Sequence, residues 1–354
     1  MAWALLPARQ VLFRGDPDAT MMLVKRLDAV RERTEDLERA SLSTWATLAS
    51  ETKGRDRHEE ADRLRTAFQV DRDRILHTSA FRRLKDKTQT FIAAEGGHYR
   101  VRLTHTLEVA QVAGTIARAL RLNEDLVEAI ALGHDIGHTP FGHAGEEALS
   151  AFTETPFRHS EQSVRVVERL ERGGRGLNLT WEVRDGILNH PWSMPEPATP
   201  EGQVVRQANR IASLNHDLDD AFRAGILAPR DVPADVTGIL GPTHSRRIAT
   251  MVGDVVATSL DQPEVRMSGL VHDAHLRLRD FVFRHVYLRP AAAAERDRAV
   301  HTLRSLAVFY LENPGELPAA AHADEPRDRR VVDFVSAMTD RDALATFRRL
   351  FLPC

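Results

Sequence analysis

The chain has 354 residues, of which 42% are hydrophobic and 28% charged, and its formal net charge is −3 at pH 7. This balance is ordinary for a globular protein and implies no global attraction to nucleic acid or to membranes. The single cysteine, Cys354, excludes disulfide scaffolds and cysteine-based zinc sites, and no apolar run approaches the length of a membrane span. We therefore expect a cytoplasmic protein with no membrane partner.

The first clear helical pattern begins at His105. Before it, residues 22–50 form a polar, helix-prone lead, and residues 52–65 form a charged linker that we expect to be solvated. From His105, apolar residues recur at steps of three and four as far as Leu120. This spacing predicts an amphipathic helix with His105 on its buried stripe.

A second helix is predicted directly after the first. Asn123 is a natural N-cap for it. Leu126, Ile130 and His134 then repeat at steps of four, which places them on one side of the helix. The pattern therefore predicts that His134 also faces inward, at the C-terminal end.

Gly137 and Pro140 are expected to break this helix. Thr139 followed by Pro140 is typical of an N-cap with proline at the first helical position, so we expect the next helix to begin around Phe141. On that helix His143 and Glu146 lie three residues apart and share a face. In contrast, the acids Glu147, Asp219 and Asp220 are interpreted as surface residues.

The remaining chain reads as helices separated by short breaks, including a glycine-rich turn at residues 173–176. No run alternates with period two for long enough to predict a sheet. The predicted fold class is therefore all-α, a helical bundle with additional C-terminal helices. We divide it into a lead and linker (1–59), a core (60–225) and a C-terminal helical region packed on the core (226–354). The further helices are predicted at 158–171, 181–190, 203–223, 242–260, 264–287, 293–312 and 328–350.

Histidines are unusually dense in the predicted core. Five of them fall within 46 residues, and one is followed directly by Asp135. Imidazole nitrogen with carboxylate oxygen suits Mn, Fe, Zn or Mg. The alternative is a set of core histidines that each bond to a backbone carbonyl, but five together favour a metal-dependent catalytic site. The five are His98, His105, His134, His138 and His143.

Several stretches resemble the bacterial deoxyguanosine-triphosphate triphosphohydrolase-like proteins, which belong to the HD phosphohydrolase superfamily. The resemblance covers about residues 60–225 and weakens through the C-terminal third. It implies that the core is an HD-domain helical bundle. The stretches that carry it are Arg65–His77, Ser79–Leu84, Lys87–Phe91, Arg100–Val109 and His134–Glu147.

The resemblance implies a metal held by one His, an adjacent His-Asp pair and a distant Asp. The first three roles fall on His105, His134 and Asp135. The fourth falls on Asn209, where the family pattern has Asp, and the family's Tyr four residues later is Ser213 here. An amide oxygen carries no charge, so we expect weaker metal binding. Without the Tyr ring, a surface on which deoxyribose would pack is missing.

The remaining roles rest on chemistry and on the same resemblance. Hydrolysis at an α-phosphorus needs an in-line water, an acid or base, and cations on the non-bridging oxygens. His143, with Glu146 as its carboxylate partner, is the expected general acid or base. The residues expected to contact substrate are His138, His159 and Arg102 at the phosphates, and Gln89, Asp217 and Ser213 near the sugar.

The function predicted first is the metal-dependent conversion of a deoxynucleoside triphosphate (dNTP) to deoxynucleoside and tripolyphosphate, which would control dNTP pools. Two alternatives stay open: a nucleotidase or phosphodiesterase of the same superfamily, and a weakly catalytic nucleotide sensor or DNA-binding regulator. The expected cofactor is a divalent ion, Mn or Mg first, with Fe, Co, Ni or Zn also admitted. The resemblance suggests a homo-oligomer such as a hexamer, and a dNTP or single-stranded DNA as effector.

Overall fold

The computed structural model describes residues 17–89, 100–318 and 324–353, so His98 lies outside the described residues. Within those ranges the chain is helical and shows only two isolated β-bridges, which confirms the all-α class. The helices are α1 (Pro17–Ser41), α2 (Ala67–Leu76), α3 (Ser79–Arg83), α4 (Arg102–Leu120), α5 (Glu124–Gly133), α6 (His143–Leu149), α7 (His159–Arg165), α8 (Glu171–Gly174), α9 (Trp181–Asn189), α10 (Pro200–Arg223), α11 (Ala234–Leu240), α12 (His244–Ser259), α13 (Gly269–Val282), α14 (Pro290–Glu312), α15 (Arg327–Ala337) and α16 (Asp340–Phe351). Among these, none is long and apolar enough to cross a membrane.

The centre of the molecule is built from α4, α5 and α10, which pack closely on one another. On α4 the stripe Val109, Val112, Ile116 and Leu120 is buried, and His105 is buried on the same side. Burying each such aliphatic side chain contributes about 1.5–3 kcal/mol, so this stripe fixes the rotation of the helix. The prediction of an inward-facing His105 is therefore confirmed.

α5 begins and ends as its sequence suggests. The Asn123 side chain accepts a hydrogen bond from the backbone N–H of Leu126 at 3.3 Å, which is the predicted N-cap. Leu126 and Ile130 are fully buried, and His134 follows them to the end of the helix with an exposure of 0%. The inward direction of His134 is confirmed as well.

The helix expected to begin around Phe141 begins two residues later. Phe141 and Gly142 both have positive φ, of 59°, and His143 is the first helical residue. The Thr139 hydroxyl donates to the carbonyl of Gly142 at 2.8 Å instead of capping the helix. The predicted Thr139–Pro140 start was wrong because a tight turn separates α5 from α6.

A second apolar cluster joins α6 to the C-terminal helices. Ala148 and Leu149 of α6 pack in one buried group with Leu303 and Leu306 of α14 and Val335 of α15. This cluster packs the apolar face of α6 against the C-terminal region. The packing fixes the position of the helix that carries His143 and Glu146. The predicted domain boundaries at residues 59 and 225 stay a prediction.

Other sequence predictions needed correction. The lead helix ends at Ser41 and not near residue 50, the predicted helix 328–350 is two helices that meet at Met338, and α11 was not predicted. Asp220 is 2% exposed and pairs with Arg100 at 2.8 Å, so its assignment to the surface was wrong. A buried carboxylate needs a partner, and the sequence pattern does not reveal which arginine supplies it.

The predicted linker 52–65 is largely exposed, as expected, but it is tied to the core. Arg55 forms an ion pair with the buried carboxylate of Asp71, and Asp71 also accepts from the backbone N–H of Thr180 at 2.7 Å. The Thr52 hydroxyl donates to Glu182 at 2.7 Å. The segment is therefore anchored at its N-terminal end and not simply solvated.

Candidate metal centre and active site

The metal wall, as we name it, consists of His105, His134, Asp135 and Asn209. α4 supplies His105, the C-terminal end of α5 supplies the His-Asp pair, and α10 supplies Asn209. One ligand atom from each of His105, His134 and Asp135 lies within 4.8 Å of the others, and all three side chains are buried. Residues predicted from the sequence as metal ligands thus converge from three helices.

His134 presents Nε2 toward this group. Its Nδ1–H donates to the carbonyl of Ala131 at 2.7 Å, while its buried Nε2 has no hydrogen-bond partner among the described residues. Nε2 lies 3.5 Å from Oδ1 of Asp135. Burial lowers the pKa of the His134 ring and keeps it neutral. A neutral imidazole oriented by a carbonyl on its other nitrogen is suited to bind a metal.

His105 is oriented by a relay that the sequence analysis missed. Its Nδ1 lies 3.2 Å from Nδ1 of His216, and Nε2 of His216 lies 2.9 Å from Oε2 of Glu108. If Nε2–H of His216 donates to Glu108, then Nδ1 of His216 accepts from Nδ1–H of His105. This arrangement leaves the lone pair of His105 Nε2 free for a cation.

Asn209 lies directly beside that lone pair. Its Oδ1 is 3.1 Å from Nε2 of His105 and accepts a hydrogen bond from the Ser213 hydroxyl at 3.1 Å. Two imidazole nitrogens, a carboxylate and an amide oxygen form a donor set that fits a hard or borderline divalent ion. The set carries one negative charge fewer than it would with Asp at this position.

Arg102 is packed against the metal wall. Its Nη1 donates to Oδ2 of Asp135 at 2.7 Å, and both side chains are buried. Burial opposes ionisation of Asp135, but the neighbouring His134 and Arg102 outweigh it and hold the pKa of that carboxyl well below its usual range. Asp135 is therefore ionised and ready to bind a cation. The predicted contact of Arg102 with phosphate stays a prediction.

The acid–base wall, as we name the facing group, consists of His138, His143, Glu146 and His159. Glu146 accepts from two imidazoles at once: Nδ1 of His143 and Nδ1 of His159 each lie 2.7 Å from a different carboxylate oxygen. Burial opposes ionisation of Glu146, but His159 and the two hydrogen bonds keep its pKa far below the ordinary range. The predicted His143–Glu146 pair is present, and the carboxylate also orients His159.

The members of the acid–base wall differ in exposure. The His143 side chain is 79% exposed, whereas His138 is buried and stacks on His159 with ring centroids 4.1 Å apart. Nε2 of His159 and Nε2 of His138 lie 3.8 and 4.0 Å from Oδ1 of Asp135. These two rings therefore adjoin the metal wall, while His143 lies at the solvent side.

His190 links the two walls and was also missed. Its ring lies 4.9 Å from that of His134, and its Nε2 is 3.1 Å from Nε2 of His159. Nδ1–H donates to the carbonyl of Ile187 at 2.8 Å, and burial holds the pKa of His190 well below the ordinary range. His190 stands alone at the end of α9, so no motif in the sequence pointed to it.

Two of the residues predicted near the sugar, Asp217 and Gln89, differ in their hydrogen bonding. Asp217, two turns beyond Asn209 on α10, accepts from the Tyr287 hydroxyl at 2.5 Å. Gln89 is half-buried, and its Oε1 has no hydrogen-bond partner among the described residues. Tyr287 is a further aromatic residue near this site that the sequence analysis did not select.

Comparisons with known proteins show which proteins this chain is similar to. A family model described as HD domain matches residues 102–214, and one described as phosphohydrolase-associated domain matches residues 265–349. A deoxyguanosinetriphosphate triphosphohydrolase-like protein of Caldanaerobacter subterraneus is 53% identical over 327 residues, which cover 92% of this chain and 96% of that protein. One of Clostridium perfringens is 47% identical over 335 residues, covering 92% and 98%. A crystal structure of a hypothetical protein from Aquifex aeolicus has a TM-score of 0.44 at 16% identity and covers 79% of this chain and 71% of its own.

Proposed function

The chain belongs to the deoxyguanosinetriphosphate triphosphohydrolase-like proteins, and we propose that it hydrolyses dNTPs to deoxynucleoside and tripolyphosphate with a divalent metal ion. The observation that carries the proposal is the convergence of His105, His134 and Asp135 beside a second group of imidazoles. One wall has the donor atoms for a cation, and the other has groups that can move a proton. Such a pairing suits phosphate-ester hydrolysis.

We assign the cation to the metal wall. When bound there, a divalent ion would polarise a non-bridging phosphate oxygen and neutralise charge that develops at phosphorus. Arg102 lies beside Asp135 and adds a fixed positive charge next to the same position. The chain itself keeps the rings of His105 and His134 neutral and orients them for metal binding. His216 orients His105, and the carbonyl of Ala131 orients His134.

We assign proton transfer to the acid–base wall. In this proposal water forms a new bond to the α-phosphorus while the bond between that phosphorus and O5′ breaks. One proton leaves the water and one reaches O5′, so that deoxynucleoside and tripolyphosphate are the products. His143 or His159, each paired with Glu146, can take or give such a proton because the carboxylate stabilises the imidazolium.

A weakly catalytic nucleotide sensor is the second candidate, and Asn209 is the observation that favours it. A neutral oxygen in place of a carboxylate lowers the charge of the metal wall and with it the affinity for a divalent ion. In that case the site would bind nucleotide without fast turnover. The homo-oligomeric assembly and the dNTP or single-stranded DNA effector stay predictions.

Turnover against a panel of dNTPs, each assayed with Mn, Mg, Fe, Co, Ni and Zn, separates these candidates. The proposed enzyme hydrolyses at least one dNTP with at least one metal and is inactive after chelation. A panel that includes nucleoside monophosphates and cyclic nucleotides tests the nucleotidase or phosphodiesterase alternative. Nucleotide binding with no turnover under any metal would favour the sensor and contradict the proposed function.

A further inference from the structure

A separate cavity of about 290 Å³ lies between the core and the C-terminal helices. One side is formed by Ile136 and Gly137, which directly follow the metal wall in sequence, and by Val166 and Leu170. The opposite side includes Phe334 of α15. No residue of the metal wall or the acid–base wall lines it, so the cavity is distinct from the site described above.

The carboxylates around this cavity are already engaged. Glu171 accepts from the hydroxyl of Ser79 at 2.8 Å. Asp333 and Glu325 both pair with the guanidinium of Arg165, and Asp333 accepts from its Nη2 at 2.6 Å. Asp333 and Glu325 are therefore neutralised by arginine, whereas Glu171 accepts from neutral donors.

The two arginines on the cavity wall are not engaged in this way. Arg83 and Arg330 each have a buried Nε with no hydrogen-bond partner, and neither guanidinium donates a hydrogen bond within the described part of the chain. Burial lowers the pKa of Arg83, and Glu171 attracts it without a hydrogen bond. A buried N–H donor without a hydrogen-bond partner is costly unless a ligand supplies the partner.

The rest of the lining is mainly apolar. Val166 and Leu170 offer aliphatic surface, and Phe334 offers an aromatic ring. A bare inorganic anion would leave this surface uncovered, whereas an organic group would bury it. The volume lies at the lower end of the range of about 300–1,000 Å³ that is typical of ligand pockets, which fits a small molecule.

We propose that this cavity binds a small organic phosphate monoester, with Arg83 and Arg330 on the phosphate and Phe334 against the organic group. Guanidinium groups match phosphate oxygens with paired, charge-assisted hydrogen bonds. The proposal is independent of the hydrolytic activity, because it needs only binding.

The cavity lies next to both walls of the candidate site. Its occupant contacts Ile136 and Gly137, next to Asp135, and it contacts Ser336 at the end of α15. The buried Lys87 connects that end to the acid–base wall, since its Nζ donates to the carbonyl of Ser336 at 2.9 Å and to the carbonyl of His138. A ligand in the cavity therefore contacts residues that adjoin both walls.

Isothermal titration calorimetry of the whole chain, treated with a chelator, with phenyl phosphate as the probe, tests this proposal. We expect saturable binding of one molecule per chain. Arg83→Gln and Arg330→Gln should each weaken it at least about tenfold, because each removes charge-assisted hydrogen bonds. Arg82→Gln is the matched control: Arg82 is the exposed neighbour of Arg83, does not line the cavity, and its replacement should leave the affinity unchanged.

Four results would overturn the proposal. The first is the absence of saturable heat from phenyl phosphate at millimolar concentration, and the second is binding to Arg83→Gln and Arg330→Gln that is as tight as binding to the natural chain. Loss of binding in Arg102→Gln would place the probe beside the metal wall instead, because Arg102 is the cation there. If inorganic phosphate binds as tightly as phenyl phosphate, the organic ligand class is wrong. Circular dichroism checks that each variant is folded. If Arg83→Gln does not fold, the affinity of Arg330→Gln for phenyl phosphate tests the proposal.

Discussion

The two walls of the candidate site differ in how firmly the fold holds them. The metal wall is buried, comes from the three central helices, and has each imidazole fixed by a hydrogen bond on its far nitrogen. The acid–base wall depends on one carboxylate, Glu146, and ends in the exposed His143. A cation needs fixed donors, whereas proton transfer needs access to substrate and water. The packing thus matches the roles that we propose for the two walls.

Loss of the carboxylate in the metal wall should have the largest effect. We expect Asp135→Asn to abolish dNTP hydrolysis and to lower the bound metal, because the remaining donors carry no negative charge. The variant also leaves the buried Arg102 without its ionic partner, which typically costs about 3–5 kcal/mol of stability. Activity assays, metal analysis and thermal unfolding measure these effects.

The exposed Glu147→Gln is the control for this change, and it should retain full activity and metal content. A folded Asp135→Asn protein with unchanged metal content and turnover would show that the metal wall is assigned incorrectly.

Removal of the His143 side chain should affect the acid–base wall and leave the metal wall unchanged. His143→Ala is expected to lower kcat by about 10²–10⁴-fold, the usual contribution of general acid–base catalysis, while the metal content stays unchanged. His159→Ala serves as the comparison, since His159 shares Glu146 but adjoins Asp135 at 3.8 Å. A full rate in His143→Ala together with a large loss in His159→Ala would transfer the proton-transfer role to His159.

The contact between the walls can be disturbed directly at Gly137. A Cβ at this position would lie 2.1 Å from the backbone nitrogen of Ser163 on α7, the helix that also carries His159. Because neither backbone can yield easily, Gly137→Ala should lower the free energy of unfolding by about 1–3 kcal/mol and reduce activity. Denaturant unfolding with parallel rate measurement checks both.

Gly114→Ala is the matched control on α4, where an added Cβ meets no atom within 4 Å. Alanine is the better helix former, so this variant should be stabilised by about 0.5–1 kcal/mol with its activity unchanged. Equal stabilities for the two alanine variants would mean that the walls are not packed as described.

The smallest expected effect concerns the charge of the metal wall. Asn209→Asp restores a negative charge 3.1 Å from Nε2 of His105 and should tighten Mn binding by at least about tenfold. It should also raise activity when metal is limiting. Titration of the metal-free protein before and after the change measures this, and the same change at the exposed Asn313, Asn313→Asp, is the control that should leave the affinity unaltered. Equal affinities would place Asn209 away from the metal.

Helical periodicity was sufficient to predict the fold class and the inward direction of His105 and His134. Both histidines continue apolar stripes whose burial fixes the rotation of α4 and α5. The turn before α6 was predicted incorrectly, because Thr139 before Pro140 has the same sequence pattern whether or not the hydroxyl caps a helix. Local sequence does not distinguish these conformations when tertiary packing decides between them.

The supporting residues of the site were harder to find. Glu108 lies three residues after His105 on α4, and His216 lies seven after Asn209 on α10, so helical spacing places each on the same face as a predicted metal ligand. His190 and the sharing of Glu146 by two imidazoles gave no such signal. They arise from contacts between α9, α7 and α6 that only the tertiary structure brings together.

Hydrolysis of a dNTP in ¹⁸O-labelled water, followed by product analysis, tests the central claim most directly. Attack on the α-phosphorus predicts deoxynucleoside and tripolyphosphate as products, with the label in tripolyphosphate, and no reaction after chelation. Pyrophosphate with deoxynucleoside monophosphate, orthophosphate with the diphosphate, or label in the deoxynucleoside would each contradict the account.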